Sequence, residues 1–285
     1  MKKILFYIAL FFVPCFCIAQ ATAASKIKIV TGNNISQASL GELGVFNYAS
    51  SAKFVEIKDE FMSFASNTAT ANISDLQWNR TALGANLVGT INMGLEEEGV
   101  IGMNATGTIG NYNFLQLSQG SAIAGGYSPK SGDTLTFIFY LPSGLTATNF
   151  TSIACGIART GQAPPINAVS TQQVCCFYLA DSATAFFQGG DGTAGGSMGI
   201  STFPAFATAQ TPCSVKIWFD LNNCYMQYKY NNITSPLITN SQSFWNTTPG
   251  TLTFRPFFQV KKDLGVGNFT YPIGYFSLKR IVNRI

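Results

Sequence analysis

The chain has 285 residues, of which 47% are apolar and only 11% charged, with a net charge of +4. The absence of histidine excludes Ser-His-Asp and Cys-His nucleophilic centres and histidine-ligated zinc. With 24 Phe and 11 Tyr the chain cannot be a disordered polyelectrolyte, and the weak positive balance gives no case for a nucleic-acid partner.

Residues 1–23 read as a secretory signal: a basic start at Met1-Lys2-Lys3, an apolar run from Ile4 to Ile18, and a small-x-small cleavage site at Ala21-Thr22-Ala23. The run is short of the ~20 residues a span needs, so membrane attachment would come only through an uncleaved signal. The mature protein is therefore expected to be secreted, periplasmic or displayed at the cell surface. Residues 24–51 read as an N-terminal arm with an extra strand at Lys26–Val30, and residues 52–285 as one β-sandwich domain.

Phe54–Phe64 alternates Phe54, Glu56, Lys58 and Glu60 with Val55, Ile57, Asp59 and Phe61, one charged face and one apolar face, the pattern of a half-exposed strand. From Asn67 to Gly126 short apolar pieces at Asn86–Met93, Gly99–Met103 and Tyr112–Leu117 are separated by Gly, Asn and Thr, and predict further strands. Gly132–Leu141 is rich in Thr, Phe, Ile and Tyr and apolar on both faces, as a central strand requires. Thr151–Arg159, Val174–Leu179 and Thr184–Gln188 follow, then a glycine loop at Gly189–Gly199.

The clearest signal is at Val215–Asn232. Val215, Ile217 and Phe219 alternate with Lys216, Trp218 and Asp220; Met226, Tyr228 and Tyr230 alternate with Tyr225, Gln227 and Lys229; Leu221-Asn222-Asn223 breaks the two runs. This predicts a β-hairpin. A polar loop at Ser241–Gly250 and closing strands at Leu252–Val260 and Phe269–Ile281 complete an all-β pattern without heptads, amphipathic helices or repeats.

Phe219-Asp220-Leu221-Asn222-Asn223, followed by Tyr228-Lys229-Tyr230-Asn231, resembles the hairpin of the SPRY domain. Ile153–Ala158, Arg255-Pro256-Phe257-Phe258 and Gly267-Asn268-Phe269 are similar to that family's flanking segments. The resemblance spans about residues 133–277. It implies a concanavalin-like antiparallel β-sandwich (jelly roll), in which ligands meet edge loops or a concave face. Legume-type lectins share that sandwich and carry Glu-Phe-Asp at a similar strand. Trp218 stands here in place of the Glu, so their calcium and manganese site does not carry over.

Trp78 with Asn79 and Arg80, and Trp245 with Asn246, set aromatics beside amides or a guanidinium in polar surroundings. Such groups can stack on a sugar and hydrogen-bond its hydroxyls; they can equally anchor long loops in a core. Asp191 in Gly189-Gly190-Asp191-Gly192, with Asp181, offers oxygens to a ligand or to calcium, or is a flexible turn. Glu56, Asp59 and Glu60 invite comparison with paired glycanase carboxylates, but Lys58 lies between Glu56 and Glu60, Asp59 falls on the other face, and a solvated strand face is the simpler reading. Five cysteines, Cys155, Cys175, Cys176, Cys213 and Cys224, follow the signal; they read as buried thiols with at most one unassigned bridge. Asn-x-Ser/Thr triplets at Asn34, Asn72, Asn79, Asn104, Asn149, Asn232, Asn246 and Asn268 would accept glycans only in a eukaryotic secretory pathway.

The sequence thus points to a non-catalytic binding protein, lectin-like or adhesin-like, whose partner is a glycan or a surface protein. No cofactor is implied. The alternative is a structural subunit of an extracellular or virion assembly, for which the low charge and many aromatics would suit a homo-oligomer. A carboxylate-dependent glycan hydrolase is the third reading.

Overall fold

The computed structural model describes residues 27–31, 34–37, 52–59, 61, 76, 78–84, 87–90, 101–117, 128–167, 172–181, 183–189, 197–207, 210–240 and 253–281. The signal segment 1–23 and the loop 241–250 lie outside them. The chain divides into two compact units, Met1–Lys58 with Ser277–Ile285, and Asp59–Phe276.

In the smaller unit β1 (Ile27–Thr31) lies between β2 (Asn34–Gln37) and β3 (Ala52–Asp59), antiparallel to both. Glu56 sits opposite Lys28 in this ladder. Glu60 lies outside the described residues. The strand stops at Asp59. Asp59 Oδ1 accepts the Phe61 N–H at 2.8 Å, and Phe61 turns to φ 51°, a conformation no strand can continue through.

The larger unit holds β4 (Trp78–Leu83), β5 (Leu87–Thr90), β6 (Ile101–Ala105), β7 (Tyr112–Leu117), β8 (Thr134–Leu141), β9 (Phe150–Arg159), β10 (Val174–Leu179), β11 (Thr184–Gly189), β12 (Ser197–Thr202), β13 (Thr211–Phe219), β14 (Cys224–Tyr230), β15 (Ile233–Thr234), β16 (Ile238–Asn240) and β17 (Phe254–Leu264). The last strand, β18 (Phe269–Ile281), runs in it as far as Phe276. One sheet has seven strands in the order β12-β11-β10-β9-β17-β7-β4. The other runs β15-β14-β13-β8-β18, with β16 on β14, β6 on β18 and β5 on β6.

The expected strands are present with edges shifted by a few residues. Two stretches differ. Trp78–Leu83, read as polar and loop-like, is an edge strand held to β7 over six register pairs from Trp78↔Leu117 to Leu83↔Tyr112. The glycine loop ends earlier than expected, because Ser197–Gly199 already belong to β12 and pair with Gly189–Phe187. In both cases a neighbouring strand supplies the hydrogen bonds that local propensity does not demand.

The hairpin forms in the anticipated register. Phe219↔Cys224, Ile217↔Met226 and Val215↔Tyr228 point inward and are buried; Trp218↔Tyr225, Lys216↔Gln227 and Ser214↔Lys229 point outward. The opposing sheet contributes Ile153, Cys155 and Ile157 of β9, Cys175, Phe177 and Leu179 of β10, and Phe258 and Val260 of β17, all fully buried. Phe258 packs against Phe61, Trp78 and Phe137 with centroids 5.3–6.0 Å apart, a second aromatic group joins Phe177, Tyr228, Phe203 and Tyr230, and together they fill the space between the layers.

Trp78 belongs to this core, and the expectation that it meets a ligand is corrected. Its ring is 0% exposed. Position 78 pairs with Leu117, which also faces inward, so the polar neighbours Asn79 and Arg80 conceal a buried anchor.

Candidate functional site

The outward face of the seven-stranded sheet is largely closed by the chain itself. Phe114, Ala154, Ala158, Val174, Cys176, Tyr178 and Phe257 form an apolar cluster there, and Ile166 of the 161–167 loop is buried against it. Gln259 holds that loop at both ends of its amide: Ile166 N–H donates to Oε1 at 2.6 Å, and Nε2 donates to the Ile166 carbonyl at 2.7 Å. At the rim Lys261 Nζ pairs with Asp263 at 2.9 Å and donates to Asn167 Oδ1 at 2.9 Å. Within the seven strands Asp263 is the sole carboxylate. The two-carboxylate constellation of a glycanase is therefore not built on this sheet.

The opposite outward face, across β8, β13 and β14, is open and polar. Its register rows are Thr134–Trp218–Tyr225–Thr239, Thr136–Lys216–Gln227 and Ile138–Ser214–Lys229–Thr234. Trp218 and Tyr225 are half-buried and lie side by side, their centroids 5.7 Å apart and their planes 18° from parallel. Cross-strand aromatic pairs of this kind arise because neighbouring side chains on one sheet face stand close enough for rings to touch. Lys216, exposed, reaches over the indole with Nζ 5.3 Å from its centroid.

The turn that closes the hairpin fixes the other edge of this surface. Asp220 Oδ1 accepts the N–H groups of Asn222 at 2.7 Å and Asn223 at 2.6 Å, and Oδ2 accepts the Tyr225 hydroxyl at 2.5 Å and Asn223 Nδ2 at 3.3 Å. The Tyr225 hydrogen bond, then the two backbone donors, hold the Asp220 carboxyl at about 2, below its ordinary range. The same contact pushes the Tyr225 phenol up. Asp220 is thus occupied within its own turn. Beside this surface Ile138, Thr211, Pro212, Ser214, Lys229, Asn231 and Asn232 line a depression of ≈360 Å³.

The anticipated residues separate. Asn79 is exposed on β4; Arg80 is half-buried and its Nε donates to Asn113 Oδ1 at 3.1 Å. Asp191, Trp245 and Asn246 lie outside the described residues. Asp181 accepts the N–H groups of Ala183 at 2.8 Å and Thr184 at 2.7 Å, so its carboxylate shapes the turn into β11. Among the described residues no cluster of three metal-ligating side chains forms. The Trp218–Tyr225 pair was missed as a site although its signal was visible: two large aromatics fall on the polar side of both hairpin strands, where a core needs none.

The arrangement offers a stacked aromatic pair bordered by a cation (Lys216), an anion (Asp220) and amide and hydroxyl groups (Gln227, Asn223, Thr134, Thr239). It can stack on an apolar ring face and hydrogen-bond hydroxyls around that ring. Strands β8, β13 and β14 contain no carboxylate, so acid–base chemistry on a glycosidic bond has no pair of groups there.

No protein-family model matches the chain, and no curated protein matches it. Among solved structures it is similar to a protein of unknown function from Shewanella oneidensis MR-1, with 14% identity and a TM-score of 0.55 over 90% of this chain and 99% of that one. It is similar to the exoplasmic/lumenal domain of VIP36 in a Ca2+/Man2-bound form, with 10% identity and a TM-score of 0.51 over 81% of this chain and 89% of that one. A glycoside hydrolase family 16 endo-glucanase from Bacteroides ovatus aligns at 8% identity and a TM-score of 0.47, covering 78% of this chain and 99% of that one. At such identities the first two likenesses show the fold alone, and with the two antiparallel sheets they make it an all-β, concanavalin-like sandwich.

Proposed function

We propose that this protein is an exported, non-catalytic binding module that takes a glycan on the outward face of β13 and β14. The observation that carries the reading is the near-parallel Trp218–Tyr225 pair, held at the surface between Lys216 and Asp220. Rings presented this way meet the C–H face of a sugar, while the surrounding polar groups select hydroxyl positions. The VIP36 domain, with the same fold, was solved with Ca2+ and Man2 bound, which supports a glycan as the ligand class. Asp191, Trp245 and Asn246 stay candidates for ligand contact, whereas Asn79, on β4 at the edge of the other sheet, is not a contact of this face. The test is a glycan array on the chain without residues 1–23, followed by titration of the strongest oligosaccharide against wild type and W218A. Binding that depends on Trp218 supports the reading; a blank array, or equal binding by both proteins, removes it.

A second reading, a subunit of an extracellular assembly, rests on a different surface. Ile200 and Leu237 are 66% and 53% exposed on the walls of a depression of ≈450 Å³ where edge strand β12 meets β16. A second copy of the chain is the natural occupant, since among the described residues β12 has a strand partner on one side only. Light scattering at high concentration would show dimers that I200E dissociates; a monomer throughout excludes it.

A further inference from the structure

Strands β10 and β14 meet across the sandwich core at Cys175 and Cys224. There β10 pairs Cys175 with Gly189 of β11, and β14 pairs Cys224 with Asn240 of β16. The second pair lies directly over the first. A Cβ placed on Gly189 would stand 2.2 Å from Asn240 Nδ2, so a larger residue there would displace the buried Asn240 side chain. Beside that contact the Sγ atoms of Cys175 and Cys224 face each other at 2.8 Å, and both residues are fully buried. This separation is well inside van der Waals contact for two sulfurs and a short movement from the ~2.05 Å of a covalent bond. The remaining thiols are placed otherwise. Cys176 points to the opposite face of β10 from Cys175, and Cys155 and Cys213 make no such sulfur contact with either member of the pair.

We propose that Cys175 and Cys224 form a disulfide that joins β10 to β14 across the sandwich core, and that Cys155, Cys176 and Cys213 remain thiols. In the reaction the two S–H bonds break, one Sγ–Sγ bond forms, and two protons and two electrons leave. A disulfide oxidant such as oxidised glutathione accepts them, its own S–S bond breaking to give two thiols. The export reading of residues 1–23 would place the chain in a compartment where such oxidants prevail. Burial pushes the Cys224 thiol well above its ordinary value, so the folded, reduced protein is a poor nucleophile and the bond forms as the sheets close.

The test refolds the denatured, reduced chain in a glutathione redox couple, unfolds it without reductant, alkylates free thiols and maps the peptides. The bond predicts a Cys175–Cys224 linked peptide, with Cys155, Cys176 and Cys213 alkylated. It also predicts that dithiothreitol lowers the melting temperature of wild type by about 5–10 °C and leaves a C175A/C224A variant unmoved. Alkylation of all five positions, or a linkage between any other two cysteines, overturns the proposal. The C155A and C213A variants, which keep the pair, must retain the linked peptide; its loss in either also counts against the assignment.

Discussion

The Trp78 indole N–H donates to Asp59 Oδ2 at 2.9 Å, in a site where the carboxylate is 3% exposed and the ring 0%. Asp59 also accepts the backbone N–H groups of Phe61 at 2.8 Å and Leu76 at 3.2 Å. One buried carboxylate thus ends a strand, holds the Leu76 backbone and orients the largest ring in the core.

Replacing Asp59 with alanine leaves these donors facing an apolar core. Each orphaned buried donor costs ~1–3 kcal/mol, so D59A should lose at least about 3 kcal/mol of stability. D59N, which keeps one acceptor, should lose less. Urea unfolding of the three proteins measures this; a D59A midpoint close to wild type would show that the hydrogen bonds are not holding Trp78.

Asp220 gives the molecule an acid-sensitive hairpin tip. Its folded carboxyl sits at about 2, below the usual value for an unfolded aspartate of ~3.9. The unfolded chain therefore takes up the proton first as pH falls. The contribution is fully present above pH ~4 and is lost toward pH 2. In Y225F the largest of the stabilising contacts is gone, so the Asp220 carboxyl should titrate upward toward its ordinary value. A carboxyl NMR titration of wild type and Y225F reads this directly, and identical titration curves would contradict it.

Gln259 keeps the 161–167 loop on the outward face of the seven-stranded sheet. Q259A removes both amide contacts from a buried site. The Ile166 N–H should then exchange with solvent at least about tenfold faster, with ~1–3 kcal/mol of stability lost. Binding at the other face should not change. Hydrogen exchange at Ile166 that matches wild type would mean that apolar packing alone seats the loop.

The hairpin was legible because burial there follows alternation. Val215, Ile217 and Phe219 turn inward and Lys216 and Trp218 outward, in the register that period-two patterning demands. Trp78 was not legible. Its immediate neighbours are polar, and the reason it is buried is a carboxylate 19 positions earlier that no local pattern reveals. Asp59 itself fell on the apolar side of its strand and was buried there by its donors, where a charge ordinarily marks a solvated face. The proximity of Cys175 and Cys224 depends on how two sheets stack, which strand patterns do not encode. The Trp218–Tyr225 pair was visible as two aromatics on polar faces, but its coupling to Asp220 needed the geometry of the turn.

The central claim is that Trp218 and Tyr225 form a sugar-binding surface, and calorimetric titration of the oligosaccharide tests it most directly. Saturable binding heat in wild type is expected, with affinity at least about tenfold weaker in W218F/Y225A, a loss of ~1.4 kcal/mol or more, while circular dichroism stays that of wild type. Equal affinity in the correctly folded double variant would contradict the account.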